Sequence, residues 1–468
     1  MLKYATFFMT LLPLQFVSMN LSAMTLTDAL AKAYESNFGI KSAAESAKAT
    51  DEGQAQALSS AMPKAQLSGS RGKSMTKGQQ TAPVFANPNT GQFTYITAPT
   101  KSDGIMQNHQ WSVTQPLFAG GAIFNTIRQS HAAAEGGVAA YYAAEQQILL
   151  SAVQTYLNVL LQRESKKINT SQVESLAVLL KGAEERFAVG ELTVTDVSQA
   201  KSQLASAQAV LAQSVASLES EEANFTNIVG TMPPAELATP APYLSTLPDS
   251  PEAALERALA RNPALEQSEL QAKAAHYATN SKKGALLPSA NFTGSANRAD
   301  AGYPRLTSQK TSQQLMFNLN VPIFQGGAEY ANIRQAQHQE RQALMDRDNT
   351  RSTLRYQTYQ SWQNMLASKQ ALESNRVAVA AAKVALDGIT EEYKQGARTL
   401  LDVLTTETQY FQAQLGEANA HYSYILTTYA VHYYMGEMRA ADLHLPVSLY
   451  DPHVHRKNTR FKLIGFAS

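Results

Sequence analysis

One short sequence occurs twice and constrains the fold more than any other feature. It has the pattern Pro-x-Phe-x-Gly-Gly and spans residues 116–121 and 322–327. Alternating apolar and polar residues precede each copy, and the proline-free runs 117–232 and 323–445 follow. A proline inside a helix costs about 3 kcal/mol, so these runs can each hold uninterrupted helices. The pattern predicts a β-strand that leads directly into a long α-helix, twice in the chain.

The two halves of the chain resemble each other in order, which predicts an internal repeat. The segment 254–262 resembles 29–37, and Leu287-Pro288 resembles Met62-Pro63. The predicted divisions are a signal peptide, a first repeat, a proline-rich linker, a second repeat and a C-terminal tail, over residues 1–23, 24–230, 231–250, 251–440 and 441–468.

Residues 1–23 have the pattern of a secretory signal peptide. Lys3 precedes the apolar run 5–17, and the small residues Ser22 and Ala23 follow it, so cleavage is predicted after Ala23. A retained membrane anchor is the alternative, but the run is shorter than the ~20 residues that a spanning helix needs. The mature chain is therefore expected to be exported.

Helical periodicity predicts two long helical hairpins, one in each repeat. Their four helices are predicted over residues 123–188, 193–229, 332–393 and 399–438. An N-terminal helix with Thr27 as its N-cap is predicted to continue to about residue 60. The tail after Pro446 is predicted to be irregular.

Short alternating segments predict two strands in each repeat. They lie at residues 65–70, 110–114, 289–297 and 315–321. Residues 72–103, rich in Gly, Pro, Thr and Asn, predict a loop between the first two. Trp111 and Val113 would share one face of their strand, opposite Gln110, Ser112 and Thr114.

One apolar face and one face of Asn, Ser, Thr and Gln are typical of strands in an outer-membrane barrel. Four strands cannot close a barrel, and an open edge in lipid leaves backbone groups unpaired at several kcal/mol each. Copies must therefore associate. A dimer would give about eight strands, and a trimer about twelve with a water-filled lumen, which the polar face favours. The alternative is a soluble small sandwich with an antiparallel coiled coil.

The composition excludes several function classes. The chain has no cysteine, which excludes disulfides, thiolate metal sites and cysteine nucleophiles. Its 39 basic and 38 acidic residues nearly balance, so no nucleic-acid partner is predicted. No phosphate-binding glycine loop or catalytic triad signature occurs, so no catalytic residue and no cofactor are predicted. His453 and His455 have metal-like spacing without a further ligand nearby, so no metal is predicted.

The duplicated Pro-x-Phe-x-Gly-Gly junction and a duplicated Gly-x-x-Thr-x-x-Asp-Val turn, at 190–197 and 396–403, resemble the TolC family of outer-membrane efflux proteins. The resemblance covers nearly all of the mature chain, in order and in both repeats. It implies an α+β membrane protein that forms a homotrimer. Its twelve-stranded β-barrel, with four strands from each chain, would be continued by a long α-helical barrel across the periplasm.

The resemblance implies the outer-membrane channel of a tripartite efflux pump or a type I secretion system in a Gram-negative cell. The implied partners are a periplasmic adaptor (membrane fusion) protein, an inner-membrane transporter of the RND or ABC type, and outer-membrane lipid. Drug and protein cargo both stay open, because the transporter selects the cargo. The alternative from a different class is an exported coiled-coil scaffold or adhesin without a pore.

The resemblance also implies a periplasmic gate at the two helix turns. The family's closing links correspond to Thr195 and Asp196 in the first turn and to Tyr393 and Arg398 in the second. Asp402 falls on an inward-facing acidic ring. The family often has a second aspartate one turn later, where this chain has Thr405, so the second ring is absent.

Helix capping is the alternative role of the two aspartates. Asp196 and Asp402 lie in the first turn of a return helix, where a negative side chain is favoured in any case. The two roles are compatible. Gly190 and Gly396, at the tips where the adaptor would dock, are expected to supply left-handed turns.

Overall fold

The computed structural model describes residues 23–87, 91–245, 247–303, 306–459 and 465. The predicted signal peptide lies outside these residues, except for Ala23. None of the helices in the described part of the chain is long and apolar enough to cross a membrane.

The order of elements repeats once along the chain. The first half contains α1 (Leu26–Ser36), α2 (Phe38–Ser59), β1 (Lys64–Asn87), β2 (Gln92–Ala119), α3 (Ala122–Ala188) and α4 (Val194–Val229). The second contains α5 (Pro251–Arg261), α6 (Pro263–Lys283), β3 (Ser289–Tyr303), β4 (Leu306–Asn320), α7 (Ala328–Lys394) and α8 (Leu400–Met435). Both α3 and α7 have 67 residues, and both α4 and α8 have 36, so the halves also match in length.

The bounds of the four long helices agree with the prediction to within four residues. Their ends follow from local chemistry. Gly230 and Gly436 end α4 and α8 in the left-handed conformation, with φ of 83° and 79°. In this conformation the backbone N–H of the glycine donates to one of the last carbonyl groups of the helix. A glycine adopts the conformation without the clash that a Cβ would cause.

The N-cap of the first helix is Thr25, and the prediction of Thr27 is wrong. The Thr25 hydroxyl accepts a hydrogen bond from the Asp28 N–H at 3.2 Å, and the Asp28 carboxylate accepts one from the Thr25 N–H at 3.0 Å. This reciprocal capping box satisfies two free donors at once. The signal was present in the sequence, because Thr25 has an acidic residue three positions later.

The predicted continuous N-terminal helix is broken at Asn37 into α1 and α2. The Asn37 side chain caps α2 by accepting from the Gly39 N–H at 2.8 Å, and its amide donates to the Ile228 carbonyl at 2.9 Å. Asn262 breaks α5 from α6 in the same way and donates to the Tyr434 carbonyl at 3.0 Å. Each asparagine therefore holds a helix corner against the end of a return helix.

The four strands form one antiparallel sheet in the order β1-β2-β3-β4. Of residues 72–103, predicted as a loop, residues 72–87 and 92–103 belong to β1 and β2, so that prediction is wrong for them. Because β3 pairs with β2 only as far as Ile105, residues 74–87 and 92–104 form a two-stranded ribbon beyond the other strands. Because this segment is rich in glycine, proline and threonine, it shows no clear alternation of apolar and polar residues. The ribbon is formed by backbone hydrogen bonds between the two strands, which do not require that alternation.

The two faces of the sheet differ in polarity. One face carries exposed apolar side chains, among them Leu67, Trp111, Phe292, Leu315 and Phe317. The opposite face carries Gln66, Ser112, Ser295, Asn291 and Asn318. There the Asn318 amide donates to Asn291 Oδ1 at 2.9 Å. The apolar residues predicted for each strand therefore lie on one face of the sheet, and the polar residues lie on the other.

Both strand-to-helix junctions turn at a pair of glycines with positive φ, and Gly120 is the most tightly packed of the four. A Cβ at Gly120 would overlap the carbonyl oxygen of Gly284, which follows α6. A Cβ at Gly121 would have its nearest neighbour 3.9 Å away, on Asn125. The first junction thus lets backbone approach backbone where the sheet meets the helices.

The largest core lies where α1, α2, α3, α4 and α8 meet, below the sheet. Tyr156 of α3 is fully buried there, and its hydroxyl lies 2.7 Å from the Met24 carbonyl oxygen and 2.6 Å from that of Ala238. A parallel bridge joins Met24 to Leu237. The start of the described chain and the linker are therefore tied to the middle of the long helix.

The C-terminal tail contains a short helix, α9 (Pro452–Thr459), where the sequence predicts irregular structure. Arg456 of α9 contacts the buried Asp51 of α2 at 3.3 Å and Glu135 of α3 at 2.7 Å. Ion pairs dock this helix, so apolar periodicity gave no signal for it.

The two adjacent glycines of the first junction allow a matched test. Gly121→Ala should cost about 1 kcal/mol from its positive φ alone. Gly120→Ala adds a backbone clash and should lower the thermal midpoint of the purified protein much further, or prevent folding. Equal midpoints for the two variants would contradict the close approach of Gly120 and Gly284.

Candidate functional site

The two helix turns have the same backbone geometry. Gly190 has φ of 82° and Gly396 has φ of 80°. In the first turn the Glu191 N–H donates to the Arg186 carbonyl at 2.9 Å, and in the second the Ala397 N–H donates to the Glu392 carbonyl at 2.9 Å. A Cβ on either glycine would meet no atom within 4 Å. The glycines are therefore required for the left-handed turn and not for space.

Both return helices begin with a capping box. The Asp196 carboxylate accepts from the Thr193 N–H at 2.9 Å and its hydroxyl at 2.7 Å, and Asp402 accepts from Thr399 at 3.0 and 2.8 Å. Hydrogen bonds from the Thr193 side chain and backbone lower the pKa of Asp196. The Thr399 backbone and side chain lower the pKa of Asp402. The predicted capping role is thus what these side chains perform within one chain.

The turns are held side by side by apolar packing. Leu400 and Leu404 at the start of α8 are buried against Leu176 and Ala183 of α3 and Ala200 of α4. The second helical hairpin therefore rests on the first just above the tips. This cluster is small, and the first turn beyond it also exposes the apolar side chains of Phe187, Val189 and Val194.

The polar contacts between the tips involve one residue that the sequence analysis missed. The Arg186 guanidinium lies 5.0 Å from the centre of the Tyr393 ring, which is a cation–π contact. Arg398 Nε donates to a Glu392 carboxylate oxygen at 2.7 Å, and this bond raises the pKa of Arg398. Thr195 is exposed on α4. Arg186 precedes the turn glycine by four residues, a spacing that places it beside the turn.

The predicted gate residues lie on the two turns that pack side by side, yet they are not all linked within the described part of one chain. Among the described residues, no hydrogen bond joins Asp196 to Tyr393 or Arg398. The Asp402 carboxylate is held by its cap, and Thr405 Oγ1 donates to the Leu401 carbonyl at 2.8 Å. The side chain after Asp402 on this face of α8 is thus a neutral hydroxyl.

A buried carboxyl lies just above the tips and was also missed. Glu407 of α8 is 2% exposed and lines a cavity of about 400 Å³ between α3, α7 and α8. Burial raises its pKa, and Oε2 has no hydrogen-bond partner. Ser175 of α3 and Asp387 of α7 line the same cavity. No sequence pattern indicates this burial, because Glu407 occupies a polar position in an otherwise regular helix.

No group of three or more His, Cys, Asp or Glu side chains in the described segments is arranged to hold a metal ion. His455 lies 3.5 Å from Asp51, a contact that belongs to the docking of α9.

Comparisons with known proteins agree with this architecture. The family model described as outer membrane efflux protein matches residues 29–231 and 254–437. The chain is similar to the outer membrane efflux protein BepC of Brucella suis biovar 1, with 33% identity over 94% of this chain and 91% of the relative. It is also similar to the outer membrane protein TolC of Salmonella enteritidis, with 26% identity over 75% of this chain and 74% of the relative.

Solved structures extend the comparison to the fold. The Campylobacter jejuni CmeC outer membrane channel superimposes with a TM-score of 0.75 and 18% identity, over 94% of this chain and 90% of that chain. This likeness establishes the shared fold.

The capping boxes make the tips sensitive to substitution. Thr193→Ala should lower the free energy of local opening at the start of α4 by about 1 kcal/mol. Hydrogen exchange of amides 194–198 measures this, with the exposed Ser198→Ala as the control. Equal exchange rates in both variants would contradict the cap.

The same measurement tests the charge of Asp196. An acid whose pKa is lower in the folded state stabilises that state above its unfolded pKa of about 3.9, and the stabilisation is lost as the pH falls through the folded value. Protection at the start of α4 should therefore decrease below about pH 4 in the wild type. In Asp196→Asn this pH dependence should disappear.

Proposed function

The chain belongs to the outer membrane efflux protein family, and from this membership we propose that three copies form a channel that spans the outer membrane and the periplasm. The twelve strands of the trimer would close a barrel in the outer membrane. The long helices, each about 100 Å at 1.5 Å per residue, would form the periplasmic tube. The channel would pass substrates from periplasmic and inner-membrane partners to the exterior.

One observation carries the proposal. The contact by which the first half of the chain packs on the second is not repeated by the second half, whose equivalent surface has nothing packed on it among the described residues. Within the chain β2 pairs with β3, and α3 packs on α6 and α8. In the described part of the chain, the equivalent elements β4 and α7 have no such strand or helix packed on them. The consequence is visible in burial, because α3 buries 20 of its 67 residues and α7, of equal length, buries 8.

A second copy supplies the missing neighbours. If β4 of one chain pairs with β1 of the next as β2 pairs with β3, the contact between halves is repeated between copies. Such head-to-tail contacts generate a ring when the rotation closes. With four strands from each chain, three copies give twelve strands, enough for a water-filled lumen. The face with Asn318 and Asn291 would line that lumen.

The gate at the tips would use links between neighbouring helical hairpins. The Tyr393 hydroxyl can donate a hydrogen bond to the Asp196 carboxylate of a neighbouring hairpin. The Arg398 guanidinium can donate several hydrogen bonds to Thr195 and Asp196. Both groups are near the tip, and the capping bonds described for Asp196 engage only its Oδ2. Exposed links of this kind contribute about 0.5–1.5 kcal/mol each, which a docked partner can offset.

The tips would dock a periplasmic adaptor at Gly190 and Gly396, and the adaptor would connect the channel to an inner-membrane transporter of the RND or ABC type. Asp402 would form one acidic ring around the axis. Thr405 makes cation selectivity weaker than in a channel with two such rings. The channel carries out no chemical step, because the partner transporter supplies the energy and selects the cargo.

The gate is tested by single-channel conductance in planar bilayers. The double variant Arg398→Ser, Tyr393→Phe should raise the ratio of open to closed channels by roughly fivefold or more, because two links are lost. Arg347→Gln, at a partly exposed cation on α7 that pairs with Asp348 far from the tip, is the control and should conduct like the wild type. Unchanged conductance of the double variant would remove the gate assignment.

The closure is tested by cysteine pairs, because the chain has no native cysteine. When the repeats are aligned at Gly120 and Gly326, Ser112 of β2 corresponds to Asn318 of β4. When they are aligned at Pro63 and Pro288, Ser70 of β1 corresponds to Ser295 of β3. Ser112 pairs with Ser295 within the chain, and Asn318 should therefore lie opposite Ser70 of the next copy.

In the variant Ser70→Cys, Asn318→Cys, oxidation should produce a ladder of linked chains that ends at the trimer. In Ser74→Cys, Asn318→Cys the first cysteine is displaced by four residues, about 13 Å along the strand, and should not crosslink. A ladder that ends at two chains would replace the trimer with a dimer. No crosslink at either position would overturn the closure.

A further inference from the structure

The apolar face of the sheet becomes basic at one level. Trp111 lies beside Leu67 on β1 and Ala296 on β3. In the next outward row on the same face, His109 lies beside Arg298. One row further, Arg71 lies beside Gln107. The change occurs within two residue pairs. Beyond it the exposed Ile105 and Met75 of this face lie beside Lys73 and Asp103, so the continuous apolar band ends at this level.

A depression opens at this border, between β2, β3 and β4. Its volume is about 460 Å³. Its lining includes Gln107, His109, Trp111, Arg298, Asp300 and Thr311. An aromatic ring thus forms the side toward the apolar band, and polar and basic groups form the side away from the helices.

The Arg298 side chain is held in place with most of its donors unused. Its Nε lies 3.2 Å from Asp300 Oδ2, two residues along the same strand. The described bonds of Arg298 use only Nε, so both terminal nitrogens stay available. Arg71 is exposed and has no ion pair within the described part of the chain. The depression therefore presents the terminal donors of Arg298 beside His109, and Arg71 lies one row further out.

We propose that this depression binds a phosphate group of a phosphorylated glycolipid in the outer leaflet of the outer membrane. The inference rests on the proposed function, which puts the apolar face in lipid and the helices in the periplasm. Asn87, Gln92, Tyr303 and Leu306 end or begin the strands on the side of the sheet opposite the helices, so the basic row faces the outer leaflet.

The chemistry of the row selects this ligand. A guanidinium binds phosphate through two parallel hydrogen bonds, and Trp111 has the amphipathic ring that is enriched where hydrocarbon meets headgroups. The exposed Leu315 and Phe317 below the border provide the surface for acyl chains. Free phosphate would gain the charged contacts but none of this apolar contact.

The test is titration of the purified trimer with bisphosphorylated lipid A, followed by native mass spectrometry. The wild type should bind the lipid, and the variant His109→Gln, Arg298→Gln should bind it about tenfold more weakly, because charge-assisted bonds are lost. Lys101→Gln is the matched control, since Lys101 is exposed on the ribbon about 33 Å along β2 from Trp111. It should bind like the wild type.

Two further arms identify the source of the phosphate. Lipid A without its phosphates should bind the wild type about tenfold more weakly and should not distinguish the three proteins. Inorganic phosphate alone should compete only weakly. Equal binding by the wild type and the double variant, equal binding of the dephosphorylated lipid, or inorganic phosphate that binds as tightly as the lipid would each overturn the proposal.

Conductance of the same preparations in bilayers without lipid A separates this result from the proposed function. Trimers that conduct but do not distinguish the lipids would overturn the glycolipid site alone. A chain that neither assembles nor conducts would overturn the channel.

Discussion

Backbone N–H and C=O groups need partners wherever water is excluded, and this requirement governs the whole design. The four strands satisfy one another from β1 to β4, but the outer edges of β1 and β4 stay open within one chain. The same incompleteness runs down the helical part, where α7 has the length of α3 and less than half of its buried residues. Because strands continue directly into helices at the paired glycines, a neighbour that completes the sheet also completes the helical wall.

Because the sequence is duplicated, neighbouring copies can complete the sheet and the helical wall with the same type of contact that joins the two halves of one chain. Asn37 and Asn262 make the same helix corner, and the four long helices match in pairs. The contact between β2 and β3 joins one half to the other, and a contact between β4 and β1 of the next copy repeats it. A chain with two equivalent halves can thus assemble into a ring by using one type of contact inside and between copies.

The sequence predicts this fold well where the signal is local and fails where it is not. The absence of proline and the glycine turns determined the long helices to within four residues. The ribbon of β1 and β2 escaped prediction, because its stability comes from cross-strand pairing between residues that lack an apolar pattern. Helix α9 escaped because Arg456 docks it through charges on α2 and α3. At the tips the turn motif located the candidate gate, whereas the contact of Arg186 with Tyr393 and the burial of Glu407 depend on how the hairpins pack.

The tips combine a small apolar cluster with polar contacts, and this combination would suit the proposed gate. Leu400 and Leu404 keep the second hairpin on the first, but the cluster ends near the turns. Beyond it, the hairpins meet through Arg186 and Tyr393, a contact that contributes about 0.5–1 kcal/mol at an exposed site. Buried Glu407 adds an opposing contribution, because its carboxyl has an unpartnered oxygen when the hairpins are packed and would gain water when they separate. In the proposed gate this unfavourable contribution would offset part of the contacts that hold the tips together, and it would lower the free energy that a docked partner must supply.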